Sequence, residues 1–320
     1  MNKAMPAASS SRVIFVLAVL LGSDAGAQPG SVVLSIDRYL PQPGAGESRH
    51  EIMPVALFDG TGFRRVQDSN PRSSRVQNLL TQHPVAQVLH HGETIDFITV
   101  SDVHLKAFGC SEFFVGTGDS TAGVGLPASE IRSSIGRREN GERIEYPTET
   151  YLALSRAIEE NDLEGGPVIS AVTDREELQS YAADIERVAP RPELLPLRID
   201  ETLAYRFSGR DGVLVIRNRR AAEMVEIGNS RFEGTLYTDA AIVHDGPGQR
   251  AVFTLQGFPA ALNGLGGGDH VQFIDAFALQ GGRVFFAFYA HSGLTYFSLY
   301  RLGAASETRL VFETALYGRC

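Results

Sequence analysis

The chain has 320 residues, of which 43% are hydrophobic and 21% charged, with 33 Gly, 15 Pro, two Cys and no Trp. That balance excludes a disordered, collagen-like or disulfide-dense chain, and the length suffices for one large core or two modest ones without a metal to hold them. With 29 basic against 38 acidic side chains the net charge is −9, which argues against nucleic acid as a partner.

Residues 1–27 carry Lys3 and Arg12, then an unbroken apolar run from Val13 to Leu21, then Ala25-Gly26-Ala27 before Gln28. Basic, apolar and small-residue zones in that order are what a signal peptidase reads, so a signal peptide ending at residue 27 and an exported chain, periplasmic or extracellular, are expected. The apolar run rises only about 14 Å as a helix, short of the roughly 30 Å hydrocarbon core. No later run approaches a transmembrane length, and no Cys follows the apolar run to take a lipid. Without residues 1–27 the chain keeps 27 basic and 37 acidic residues, a net charge of −10, with Lys106 its single lysine. The skew toward Arg, Ala and Gly reads as the coding bias of a GC-rich bacterium.

Turn signals between apolar runs predict hairpins over 28–146, an N-terminal β-rich region. Ile52 to Phe58 and Phe63 to Val66 flank Asp59-Gly60-Thr61-Gly62, Val85 to His90 and Thr94 to Val100 flank His91-Gly92-Glu93, and Asn140-Gly141 marks a further reversal. Over 147–196 the pattern becomes helical. Tyr151, Leu154, Ala157 and Ile158 keep helix spacing, as do Leu178, Tyr181, Ala182, Ile185 and Val188, with Thr173 and Glu176 forming a capping box. Ala189 to Pro196, with three prolines, reads as an extended linker and a domain boundary.

The region 197–320 reads as eight strands with turns at Gly209 to Gly212, Asp245 to Gly248, Gln280 to Gly282 and His291 to Gly293. Val284 to Ala290 is apolar on both faces, so its sheet is expected to be covered on both sides. The predicted fold is therefore mainly β, with two antiparallel regions, sandwich or propeller-like meander, joined by a short helical segment.

A weak echo relates Asp239-Ala240 and its turn at Asp245-Gly246 to Asp275-Ala276 and its turn at Gly281-Gly282, at an offset of 36 residues. Residues 273–302, and especially Gly293-Leu-Thr-Tyr-Phe-Ser-Leu-Tyr-Arg-Leu302, resemble a degenerate blade of the FG-GAP/VCBS-type β-propeller proteins. That family holds calcium with alternate aspartates in an Asp-x-Asp-x-Asp-Gly loop. The matching turns here, His244-Asp245-Gly246-Pro247-Gly248 and Gln280-Gly281-Gly282-Arg283, lack that ligand set, so no cofactor is expected from the resemblance.

Several chemistries have no sequence support. One lysine after the signal segment, Lys106, leaves neither a GxxxxGK loop nor a Ser-x-x-Lys nucleophile, no His begins an HExxH, and glycines at 116, 118 and 123 make no GxGxxG. Phe113 to Gly123 runs as a strand into Gly118-Asp119-Ser120 and resembles the first block of SGNH/GDSL esterases, which implies Ser120 as nucleophile. His244 or His270 would then serve as base. The family's Asp-x-x-His and Gly-x-Asn-Asp blocks are missing. His90, His91 and His104, the densest histidine group, make an alternative metal site, and Asp102 shares a strand face with His104. Cys110 and Cys320 are read as one disulfide, worth about 5 kcal/mol for a loop of about 210 residues. Phe285, Phe286, Phe288, Tyr289, Tyr296, Phe297 and Tyr300 are read as core packing. The favoured function is an exported, non-catalytic binding, interaction or envelope-associated protein with a protein or envelope partner. A serine ester hydrolase at Ser120 stands second.

Overall fold

A computed structural model describes residues 32–41, 48–66, 74–108, 111–120, 133–137, 143–147, 149–156, 167–188, 198–227, 230–246, 249–255, 270–279, 282–292, 294–304 and 307–318. Residues 1–27, Cys110, Cys320 and residues 189–196 lie outside the described residues, and with them the expected signal peptide, disulfide and linker.

In the N-terminal region, β1 (Val32–Pro41), β2 (Ser48–Phe58), β3 (Phe63–Arg65), α1 (Ser74–Gln82), β4 (Val85–His90), β5 (Glu93–Phe108), β6 (Ser111–Ser120) and β9 (Glu149–Arg156) form one unit. Their pairing runs β1-β9-β4-β5-β6-β2, and β1 also pairs with β2, so six antiparallel strands close into a ring with β3 added beside β2. Closure leaves the ring without a free edge. Between β6 and β9, β7 (Ser133–Arg137) and β8 (Arg143–Pro147) make a separate hairpin across the expected Asn140-Gly141 reversal.

The C-terminal region begins with β10 (Ile169–Ala171) and α2 (Arg175–Val188). β11 (Arg198–Phe207), β12 (Val213–Ile227), β13 (Ser230–Gly246) and β14 (Gln249–Thr254) complete a five-stranded sheet with β10. β15 (His270–Leu279), β16 (Arg283–Ser292), β17 (Leu294–Arg301) and β18 (Arg309–Gly318) form a four-stranded antiparallel meander. These eight strands, β11 to β18, are separated at each of the four expected turns.

Alternation along β16 explains how the units stack. Phe285 and Ala287 pack against Leu34, Met53, Phe58 and Leu152 of the ring. Val284, Phe286 and Phe288 pack against Phe207, Leu214 and Ile242 of the five-stranded sheet. The four-stranded sheet is thus buried on both faces, as its doubly apolar sequence requires. On the far side of the five-stranded sheet, Val213, Val215, Ala241 and Val243 meet Tyr181 and Ile185 of α2. The order of layers is ring, four-stranded sheet, five-stranded sheet, helix.

Two local readings are corrected. Residues 149–156 are strand β9, not helix, because the segment is buried on both faces. Leu152 and Leu154 face the four-stranded sheet while Tyr151 and Ala153 face the ring interior, which hides the period of two. Helix α2 falls where expected, but Asp174 caps it, its Oδ1 accepting the Glu177 N–H at 2.9 Å in place of a Thr173 cap. Helix α1 is an addition to the sequence reading.

Candidate functional site

The inner face of the ring follows from β5, where Asp96 and Ile98 are buried while the intervening Phe97 and Thr99 are exposed. The residues facing the same way on the other strands are Val33, Ser35 and Asp37 of β1, His50 and Ile52 of β2, Ala86 and Val88 of β4, and Tyr151, Ala153 and Ser155 of β9. On β6 the inward positions include Gly116 and Gly118. A Cβ at Gly118 would stand 2.1 Å from the Thr99 carbonyl oxygen, and one at Gly116 2.6 Å from Val100 Cγ1, so glycine lets β5 fold closely over β6.

One end of this interior is mainly apolar, with Ser155 set among its hydrophobic side chains. Helix α1 enters there, just before β4, and Val76, Leu79 and Leu80 join Val33, Ala86 and Ile98. Toward the other end, where β1 gives way to β2 and β4 turns into β5, the inner face becomes polar. Asp37 and His50 are essentially inaccessible to solvent, with His50 Nδ1 2.9 Å from Asp37 Oδ2. Asp96 stands on β5, three pairings from β1 in either direction and so across the ring from Asp37. Its Oδ1 accepts the Phe97 N–H at 2.7 Å. Ser35, Ala153, Val88 and Asp96 form a single row across β1, β9, β4 and β5.

Burial pushes the Asp37 carboxyl above the ordinary carboxylate range; the His50 hydrogen bond opposes this, and the negative charges of Asp96 and Glu51 add to the rise. Burial disfavours a charged His50, but its hydrogen bond to Asp37 and the charges of Asp37, Asp96 and Asp119 outweigh that and raise its proton affinity. Asp37 Oδ1, Asp96 Oδ2 and Ser35 Oγ have no hydrogen-bond partner among the described residues. Ser155 Oγ, farther along the inner face beside Val33 and Ala86, is likewise unmatched; since a buried acceptor left unmatched costs about 1–3 kcal/mol, and more when charged, the inner face of the ring is the candidate site.

The residues singled out from sequence fall elsewhere. Ser120 is the last residue of β6, opposite Ile98, so Gly118-Asp119-Ser120 lies within a strand. His244 is on β13 in the five-stranded sheet, its ring edge-on to Phe253 at 5.8 Å, and its Nε2 has no partner among the described residues. His270 opens β15 opposite His291. The three stand on strands of three different sheets. His90 and His91 stack at 4.1 Å in the β4–β5 turn, and His91 also meets Tyr205 edge-on. His104 lies farther along β5, with Nδ1 3.0 Å from Asp102 Oδ2 on the face they were expected to share. Among the described residues no group of three or more His, Cys, Asp or Glu is arranged to hold a metal ion, and no helix is long and apolar enough to cross a membrane. The aromatic cluster is core, with Phe286, Phe288, Phe297 and Tyr300 fully buried and Phe286 stacked on Tyr300 at 5.4 Å.

The Asp37, His50 and Asp96 cluster was missed because its members are 13 and 46 residues apart in the chain. Its one local signal is Val32-Val-Leu-Ser-Ile-Asp37, a strand apolar on one face throughout and apolar then polar on the other. Comparison of the chain with protein-family models, curated proteins and solved structures returns no match in any of the three.

Proposed function

We propose that this chain is an exported, non-catalytic binding protein, and that the polar end of the six-stranded ring is its binding element. The observation that carries the reading is the set of buried acceptors, Asp37 Oδ1, Asp96 Oδ2 and Ser35 Oγ, unmatched within the described residues. A ligand that donates hydrogen bonds would satisfy them, and the apolar Val88, Ile98 and Ala153 beside them would cover its carbon skeleton. The basic, apolar and small-residue zones of residues 1–27, in the order a signal peptidase reads, support a role outside the cytoplasm.

The test is a thermal-shift screen of wild-type protein and Asp96→Asn against small alkylammonium salts, polyols, monosaccharides and carboxylates. A compound that raises the wild-type melting temperature and loses this effect in Asp96→Asn supports the reading. A screen without such a compound rejects it. A fluorophosphonate adduct, seen by intact mass and lost in Ser120→Ala, would instead make the protein a serine hydrolase.

A further inference from the structure

We infer that the ligand of the ring is a small primary amine, held in its ammonium form by Asp37, Asp96 and Ser35; the inference rests on the binding role just proposed. The unmatched atoms are two carboxylate oxygens and one hydroxyl oxygen. An ammonium group has three N–H donors and no acceptor, so it can donate to Asp37, Asp96 and Ser35 together, while Ser155 Oγ, the other unmatched oxygen of the inner face, lies farther along toward α1. Charge points the same way. Asp37 and Asp96 are two buried carboxyl groups facing one imidazole, and whenever Asp37 is ionised a cationic ligand would supply the counter-charge that a buried carboxylate needs. The hydrogen bonds formed would be charge-assisted, the stronger kind.

The surroundings select among cations. A divalent metal needs converging ligands at about 2.0–2.6 Å, and no such group occurs among the described residues. An ammonium nitrogen donates to partners at the longer hydrogen-bond distance, which suits acceptors contributed by strands on opposite sides of the ring. Beyond the acceptors the inner face continues with Ile52, Val88, Ile98 and Ala153 toward α1, an apolar lining interrupted by Ser155 that fits a short alkyl chain and disfavours a second charged end.

The experiment titrates wild-type protein at pH 7 with butylammonium chloride by calorimetry and by melting temperature, against tetramethylammonium chloride and 1-butanol. Tetramethylammonium keeps the charge without N–H donors; butanol keeps the alkyl chain without the charge. The expected result is binding of one butylammonium per chain, with no response to either control. Asp96→Asn, which keeps an acceptor for the Phe97 N–H, should retain the wild-type far-UV spectrum and weaken binding at least about tenfold, the value of one charge-assisted hydrogen bond. Ser35→Ala serves as the second variant and should weaken binding by a smaller factor. An equal response to tetramethylammonium or to butanol would overturn the ammonium assignment. If butylammonium fails while a polyol or sugar binds and depends on Asp96, the ring remains the binding element and only the ligand class falls. If nothing binds, both fall.

Discussion

At the scale of single residues, the buried Asp37 and His50 pair gives the protein an unusual linkage to pH. Both groups hold their protons more tightly in the folded chain than in the unfolded one. For each, the stabilising contribution is complete below the unfolded value, 3.8 for Asp37 and 6.5 for His50, and is lost as pH rises through the higher folded value. Glu177 and Glu186 shift downward and therefore act with the opposite sign, in a window that closes once pH exceeds their ordinary value of 4.5. Between pH 5 and 8 the upward-shifted pair decides the slope, so the guanidinium midpoint is expected to fall as pH rises. Asp37→Asn, which removes one of the two titrating groups, should flatten that fall. A midpoint that climbs across this range, or a variant with the wild-type slope, would show that the pair does not hold its protons in this way.

At the scale of elements, α2 is fastened to its sheet by arginines that differ in burial, and burial ranks their worth. Arg217 is 1% exposed; it makes a bidentate pair with Asp239 and donates to Glu186 and the Ala182 carbonyl. Arg250 is 29% exposed, pairs with Asp184 and Asp245, and lies over the Tyr181 ring at 4.6 Å. Arg217→Ala is expected to cost about 3–5 kcal/mol because it strands a carboxylate beneath the helix. Arg250→Ala should cost only about 1 kcal/mol, since solvent screens its pairs. Urea denaturation of the two variants checks the ranking, and equal losses would refute it. The helix itself was legible because Leu178, Tyr181, Ala182 and Ile185 repeat against a polar background. Strand β9 was not legible because Leu152 and Leu154 are as buried as Tyr151 and Ala153, leaving no polar face to mark the alternation. The short α1 carried the same signal as α2, in Val76, Leu79 and Leu80, over too few turns to stand out.

At the scale of the whole molecule, turns and strand count were readable because glycine punctuates nearly every hairpin. Closure of the ring was not, because it depends on β9 returning between β1 and β4, a pairing that no local pattern announces. The same limit hid the Asp37, His50 and Asp96 cluster, which exists only once the ring is closed. Stacking of the layers makes a further expectation, since the ring and the C-terminal sheets share buried side chains and one specific joint. At that joint the β4–β5 turn projects into the C-terminal region, and the His91 carbonyl accepts the N–H groups of Val168 at 3.1 Å and Ile169 at 3.3 Å. Gly92 sits at φ +82°, and a Cβ there would lie 2.5 Å from Val168 Cβ and 2.9 Å from the Ala276 carbonyl oxygen. Substitution therefore meets both backbone strain and two crowded neighbours, one from each C-terminal sheet. Gly92→Ala is expected to cost about 1–3 kcal/mol and, because the layers are interdependent, to shift the unfolding of the whole chain. The chain has no Trp, so tyrosine near-UV ellipticity and far-UV ellipticity are the signals to follow in guanidinium. Coincident wild-type transitions that move together to lower denaturant in Gly92→Ala are the expected outcome. Separated transitions, of which the substitution moves only one, would show that the ring and the C-terminal sheets fold as independent units.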